Sequence, residues 1–132
     1  MLELKDRNPE QVEYKNNLAI SNEKLGNTYS LLGELDTAKG YYEQATELFE
    51  QLHHDYPEQV GYKNSLAISY SKLYRLYLQM EAPDKAVEYL KAAASLWWVL
   101  ARDFPAYAEF QSNWNWAQVE MKKMGVELED LE

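Results

Sequence analysis

A stretch of eight residues, YKNNLAIS at 14–21, returns 48 positions later as YKNSLAIS at 62–69. When residues 9–56 are laid over residues 57–104, 21 of the 48 positions are identical. A catalytic site is rarely built twice within so short a chain, whereas stacked copies of one supersecondary unit bury each other's apolar faces. The duplication therefore predicts a packing unit that repeats along the chain.

The apolar residues that the two copies share follow helical spacing. Gaps of four, seven and four residues place four of them on one face of a helix. They are Tyr14, Leu18, Leu25 and Tyr29, with Tyr62, Leu66, Leu73 and Tyr77 as their counterparts. The second half of each copy again carries apolar residues at steps of three and four. Each copy is therefore predicted to be two amphipathic helices joined by a short turn.

The same periodicity predicts five helices and no strand. They span about residues 9–32, 36–55, 58–81, 84–103 and 106–124. Asp36 and Asp84 are expected as side-chain N-caps of the second helix in each copy. Pro57 and Pro105 are expected in the first turn of the next helix, where a missing N–H is tolerated.

The repeat pattern predicts an all-α chain. Two full repeats, about 9–56 and 57–104, are followed at 105–125 by a half repeat, whose single helix covers the last open face as a cap must. We expect one domain over 1–132, a right-handed solenoid of antiparallel helical hairpins. The acidic segment 126–132 is expected to be a solvated, frayed tail.

Composition excludes several classes of function. A net charge of −9 argues against binding to nucleic acid or to an anionic membrane, which clustered cations would attract. The chain has no cysteine, so thiolate metal sites and a cysteine nucleophile are excluded, and a cytoplasmic location is expected. His53 and His54 are adjacent and point about 100° apart on a helix, which disfavours a shared metal. We therefore expect no metal, no cofactor and no enzymatic activity.

The pattern resembles the tetratricopeptide repeat family. That family spaces a Leu-Gly pair, a Tyr, a Gly, an Ala, an aromatic residue and an Ala over two helices, and the first copy matches each of these. The matching residues are Leu25, Gly26, Tyr29, Gly33, Ala38, Tyr42 and Ala45. The second copy keeps Leu73, Tyr77, Ala86 and Ala93 but has Tyr74, Glu81 and Leu90 where Gly, Gly and an aromatic are expected. Tyr74 predicts either a wider helix spacing or an outward-turned ring.

The resemblance implies protein binding. Family repeats usually have 34 residues, and the 48-residue period is similar to long variants in multidomain bacterial proteins. The resemblance implies that a peptide or helix of a partner protein lies on the concave face, lined by the first helix of each hairpin. By register the lining residues are Ile20, Glu23, Asn27, Ser30, Ile68, Ser71, Arg75, Gln79, Trp116, Val119 and Lys123.

Three further features leave alternatives open. Ile20, Ile68 and Trp116 form one column, either an apolar stripe for a partner's anchors or residues packed between long helices. Asn64 lies in an amide-rich column that favours hydrogen bonding between adjacent helices over pairing with a ligand's backbone. Trp98 occupies a column that should face solvent, so it is either covered by the terminal helix near Trp114 or makes a partner or dimer contact.

Some family members clamp a terminal carboxylate with Lys, Asn, Asn, Lys and Arg. Only Asn27 matches here, and the other positions hold Glu23, Lys72, Trp116 and Glu120. Carboxylates where cations are needed would repel a terminal carboxylate, so binding of that type is not expected. The remaining alternative is self-association, through the open end of the stack or through Trp98.

Overall fold

The computed structural model describes residues 8–131, which form five α-helices and one short 3-10 helix. The α-helices are α1 (Pro9–Leu31), α2 (Leu35–Asp55), α3 (Val60–Gln79), α4 (Pro83–Asp103) and α5 (Ala108–Met124). The 3-10 helix follows at Leu128–Leu131. Neighbouring helices in the chain pack on one another, and within residues 8–131 there is no strand. The predicted all-α helical-repeat solenoid is confirmed.

The two hairpins have repeated internal contacts. In the first, the rings of Tyr29 and Tyr41 stack with centroids 5.6 Å apart and an interplanar angle of 5°. In the second, the rings of Tyr77 and Tyr89 stack with the same distance and angle. Each stack joins the end of a first helix to the start of a second helix, and so fixes how each hairpin closes.

Close packing of α1 on α2 depends on Gly26. A Cβ atom built at this position would lie 2.5 Å from the ring of Tyr42, well inside van der Waals contact. The second hairpin exchanges these sizes, with Tyr74 in place of the glycine and Leu90 in place of the tyrosine. The ring of Tyr74 is fully buried and makes an edge contact with Trp116 of α5, so the outward-turned ring is wrong.

Two buried clusters form the core. The smaller lies between the hairpins, where Phe49 and Leu52 of α2 meet Leu66 of α3. The larger is centred on α3 and α4 and is covered by Phe110, Ala117 and Met121 of α5. The half repeat therefore supplies the apolar face that closes the second hairpin.

The predicted caps are wrong. Asp36 and Asp84 are the second residues of their helices, two positions after the N-cap residues Glu34 and Ala82, and neither N-cap side chain makes a capping hydrogen bond. As first-turn carboxylates they still oppose the positive end of the helix dipole. Pro57 and Pro105 lie in turns before α3 and α5. Pro9 and Pro83 are the prolines in first helical turns.

The prediction for the acidic tail holds only in part, because residues 127–130 are exposed but Leu128–Leu131 form a 3-10 helix rather than a frayed end. Gly125 has φ +74° and ends α5, and the Val126 N–H donates to the carbonyl O of Met121 at 2.9 Å. Val126 is buried, and Leu131 packs against the main core. Two apolar side chains among the carboxylates thus hold residues 126–131 on the fold, while Glu132 lies outside the described residues.

Candidate functional site

The first helices of the hairpins, α1 and α3, together with α5 form one surface, which we call the groove. Polar side chains join α1 to α3 across it. The Ser30 hydroxyl donates to Gln79 Oε1 at 3.1 Å, and Lys72 Nζ donates to Asn27 Oδ1 at 3.1 Å. Asn27 Oδ1 also accepts from the Tyr42 hydroxyl at 2.7 Å. The two helices are therefore linked by hydrogen bonds along this surface.

A depression of about 470 Å³ opens between α1 and α3 at the end of the groove nearest the turns. Four of its lining residues are among those that the register predicted: Asn27, Ser30, Arg75 and Gln79. The lining also includes Lys72 and Leu31, which were not predicted to line the groove. Leu31 is 89% exposed at the end of α1. The sequence feature that could have identified it is a leucine next to the predicted turn with no leucine at the equivalent position of the second copy.

One ion pair lies beside this depression. Lys72 Nζ is 3.8 Å from Glu23 Oε2, and both side chains are about three-quarters covered. Burial raises the pKa of Glu23, and the positive charge of Lys72 lowers it only in part. The carboxylate is therefore poorly solvated and incompletely neutralised, which leaves it able to accept a further hydrogen bond.

The column of Ile20, Ile68 and Trp116 does not form one apolar stripe. Ile20 is exposed, whereas Ile68 and Trp116 are partly buried against the main core. Trp116 makes edge contacts with Tyr74 and Trp97 at centroid distances of 6.0 Å. Packing between the long helices therefore accounts for two members of the column.

Arg75 covers the outer side of Trp116. Its guanidinium carbon lies 4.9 Å from the centre of the ring, a cation–π contact. Arg75 is exposed and pairs with no carboxylate within residues 8–131. The contact with the ring thus restrains the guanidinium, a group whose planar N–H donors can pair with a carboxylate.

The far end of the groove is formed by α5. Val119 is exposed, and Lys123 Nζ is 3.0 Å from Glu120 Oε2. Burial raises the pKa of Glu120, but hydrogen bonds from Tyr74 and Lys123 outweigh it, so that the pKa lies below its usual value. Glu120 is therefore an ionised link between α3 and α5.

Ser71 corrects the predicted lining. Its side chain is buried, and its hydroxyl donates to the carbonyl O of Ile68 at 2.6 Å. A serine of α3 bonded to its own helix one turn back presents no donor at the surface. Ser71 is thus removed from the set of side chains that a ligand can reach.

Residues 19–52, which cover most of α1 and α2, match the family model of the tetratricopeptide repeat. The chain carries a tetratricopeptide repeat. Searches of curated proteins and of solved structures gave no match. Tetratricopeptide repeats generally mediate protein–protein interactions, and the family is one of non-catalytic interaction modules.

The carboxylate-clamp positions of the tetratricopeptide repeat family give no clamp here. Asn27, which alone matches, has its side-chain oxygen occupied by Tyr42 and Lys72. The adjacent position holds Glu23, a carboxylate. The residues of a carboxylate clamp are therefore not assembled on this surface.

The amide column contributes to helix packing. Asn64 Oδ1 accepts from Trp97 Nε1 at 2.9 Å, and Asn64 Nδ2 donates to Glu109 Oε2 at 3.0 Å. Asn64 thereby joins α3 to both α4 and α5. The expectation of hydrogen bonding between adjacent helices is confirmed for this residue.

Trp98 lies outside the groove, at the C-terminal end of the repeat array. It remains partly exposed, with the guanidinium carbon of Arg102 5.2 Å from its ring centre. It lines an apolar depression of about 280 Å³ together with Trp114, Leu128 and Leu131. Trp114 and the 3-10 helix therefore lie beside Trp98 without covering it.

Two further features of the fold bear on other kinds of site. Within residues 8–131, no group of three or more His, Cys, Asp or Glu side chains is placed to hold a metal ion. None of the helices in that range is long and apolar enough to span a bilayer.

Proposed function

We propose that this tetratricopeptide repeat protein is a non-catalytic binding module whose groove takes a peptide or helix of a partner protein. The observation that carries the proposal is the depression between α1 and α3, with Asn27 and Ser30 on one wall and Arg75 and Gln79 on the other. Amide, hydroxyl and guanidinium groups that converge on one cleft suit the backbone and polar side chains of a peptide.

The charges of the groove favour a peptide that carries a carboxylate. Arg75 and Lys72 line the depression, although the whole chain has a net charge of −9. Lys72 is held by Glu23 and Asn27, which leaves Arg75 as the cation available to a ligand. An Asp or Glu side chain of the partner would accept two N–H bonds from Arg75, while Trp116 holds the guanidinium in place.

The experiment is a selection from a random peptide library against the immobilised full chain. We expect the selected peptides to be enriched in Asp and Glu. Arg75→Glu should weaken binding of a labelled peptide by about tenfold or more in fluorescence anisotropy, because a charge-assisted bond becomes a repulsion. Amide chemical-shift changes should cluster at Asn27, Ser30 and Gln79.

The matched control is Lys85→Glu, which makes the same change of charge at an exposed residue of α4. It should leave the affinity unchanged, and circular dichroism of both variants should match that of the parent chain. Peptides that bind Arg75→Glu as tightly as the parent, with shift changes outside the groove, would contradict the proposal.

We also propose a setting for this binding: a larger, multidomain bacterial assembly in the cytoplasm. The absence of cysteine and the long repeat spacing support it. Self-association through Trp98 is the alternative, because this ring stays partly exposed beside an apolar depression. Light scattering over a concentration series separates the two, since a dimer that Trp98→Lys abolishes would favour self-association.

A further inference from the structure

The outer face of α1, on the side away from α3, carries four side chains that are exposed in the part of the chain that the structure describes, residues 8–131. They are Tyr14, Leu18, Ser21 and Leu25, all of them exposed. Their spacing of four, three and four residues places them within one narrow stripe of the helix. Ile20 and Asn27 lie on a different side of α1, towards the groove. This stripe, which we call the α1 edge, is therefore separate from the proposed peptide site.

The same four residue types recur at the equivalent positions of α3, where they are covered. They are Tyr62, Leu66, Ser69 and Leu73. Leu66 is 4% exposed, against 36% for Leu18, and Leu73 is 1% exposed, against 41% for Leu25. The same four residue types therefore lie at a contact surface in α3 and at an exposed surface in α1.

The α3 copy of this surface shows what covers it. Leu66 packs in a buried cluster with Ala45, Phe49 and Leu52 of α2. The hydroxyls of Ser69 and Thr46 are 2.6 Å apart and share a buried hydrogen bond. In α2, Ala45 allows close approach, the Thr46 hydroxyl bonds the serine, and Phe49 packs on the leucine. We call a helix with these residue types at this spacing an α2-type helix.

We propose that the α1 edge docks a helix of α2 type, presented by a partner protein. Such a helix carries Ala, Thr, Phe and Leu at the spacing of Ala45, Thr46, Phe49 and Leu52. The partner's hydroxyl would bond Ser21 as Thr46 bonds Ser69, and its aromatic would pack on Leu18. The occupant repeats a contact that this chain already makes.

A second copy of this chain is a poor occupant. Its own α2 has this surface packed against α3, and its α4 has the equivalent surface packed against α5. Neither helix can cover an α1 edge elsewhere unless the core opens. The occupant is therefore a helix whose α2-type surface is not already buried.

At the opposite end of the stack, Trp98 and Trp114 line an apolar depression, but the exposed side of α5 is polar. The side of α5 that would receive a second helix carries Asn115, Gln118 and Lys122, all exposed. The equivalent residues of α3 are Ala67, Tyr70 and Tyr74, buried or partly buried beside α4. Polar residues thus replace apolar ones on this side of α5, so it does not repeat the surface that the α1 edge offers.

The probe is a labelled peptide of residues 35–55, held helical by a side-chain bridge between positions 43 and 47, both exposed in the fold. We expect saturable binding to the full chain in fluorescence anisotropy. Leu18→Glu combined with Leu25→Glu should weaken it by about tenfold or more, since two leucines lose their apolar contact. A peptide with Phe49→Ala should bind correspondingly less.

Ile20→Glu is the matched control for the chain. Ile20 lies on the same helix and is 40% exposed, but it faces the groove. It should leave peptide binding unchanged, as should Arg75→Glu, so failure of the groove proposal and failure of this one are distinguishable. The proposal is overturned by a lack of saturable binding, or by equal losses from Ile20→Glu and the double variant. A dimer of the chain that the double variant abolishes would also overturn it, by making a second copy the occupant.

Discussion

At the residue scale, the two hairpins hold different residues in the same left-handed turn conformation. Gly33 and Glu81 occupy the same place after the first helix of each hairpin, and both have positive φ, +84° and +58°. Glycine adopts this conformation at little cost, whereas a residue with a Cβ is strained in it. The second hairpin therefore contains a turn that its own residue disfavours.

Replacing Glu81 by glycine should stabilise the protein by about 0.5–1 kcal/mol, because the strain of the left-handed conformation is removed. The converse change, Gly33→Ala, should destabilise it by a similar amount, since no atom lies near enough to clash and the backbone angle alone decides the effect. Urea denaturation of both variants measures the free energies of unfolding. A stabilising Gly33→Ala would show that these turns relax.

The positive angle at Glu81 does not follow from the sequence alone. The spacing of the family's glycines identified the position, but glutamate there leaves open whether the turn keeps its shape or changes it. Backbone bonds decide this, since the Ala82 N–H donates to the carbonyl O of Tyr77 at 2.8 Å, as the Glu34 N–H does to Tyr29 at 2.9 Å. The same bond pattern imposes the same angle on a different residue.

At the element scale, the helices were readable to within two residues at each end, whereas the residues that cap them were not. The apolar period fixed all five helices because each buries one stripe over many turns. The caps depend on single backbone angles, and Asp36 lies two residues after the N-cap position, too late to act as a cap. The conformation of residues 126–131 depends on Val126 and Leu131, which contact the main core. The prediction was based on the acidic composition of this segment and gave these two apolar residues too little weight.

The candidate site was readable to the extent that it follows from register. Position in the helix placed Asn27, Ser30, Arg75 and Gln79 on one side, and these do line one depression. Register predicts the side of the helix on which a side chain lies, but not how far that side chain is buried, which depends on the size of its neighbours. Trp116 is partly buried because it packs against Tyr74 of α3, which replaces the family's glycine, and against Trp97 of α4. The burial of this one side chain therefore depends on three helices.

Contact between α1 and α2 can be tested with two glycines. Gly26→Ala should destabilise the protein by about 1–3 kcal/mol, because its Cβ would overlap the ring of Tyr42 and force the helices apart. Gly40 lies within α2, and a methyl group added there would meet nothing within 4 Å, so Gly40→Ala should be neutral or stabilising by up to about 1 kcal/mol. Thermal unfolding followed by circular dichroism compares them, and equal midpoints would show that Tyr42 moves aside.

At the scale of the whole molecule, two tyrosine–glutamate hydrogen bonds join α3 to the helices on either side of its hairpin. The Tyr70 hydroxyl donates to Glu50 Oε2 at 2.7 Å, which joins α3 to α2. The Tyr74 hydroxyl donates to Glu120 Oε1 at 2.8 Å, which joins α3 to α5. Burial and the adjacent carboxylate raise the pKa of both phenols well above the usual value of 10.0.

These pairs predict weakening of the fold in alkali. A phenol whose pKa is higher in the folded state contributes stability fully below the unfolded value of about 10, and this contribution is lost as the pH rises above it. The free energy of unfolding should therefore fall progressively as the pH rises above about 10. Tyr74→Phe should reduce this fall in part, leaving the contribution of Tyr70.

Urea denaturation at a series of pH values measures the effect. Tyr14→Phe is the control, because this ring is exposed and lies at the α1 edge. It should leave the alkaline slope unchanged. A slope that is the same in Tyr74→Phe and in the parent chain would show that the bond to Glu120 does not couple the fold to pH.

The unlike ends of the stack give it a direction. An apolar stripe lies along α1, while α5 turns amides and a lysine outwards, so the two ends offer different surfaces to a partner. A head-to-tail fibre of identical copies needs two complementary termini, and the polar side of α5 is not complementary to the α1 terminus. Complexes formed at that terminus should accordingly have a fixed stoichiometry of one to one.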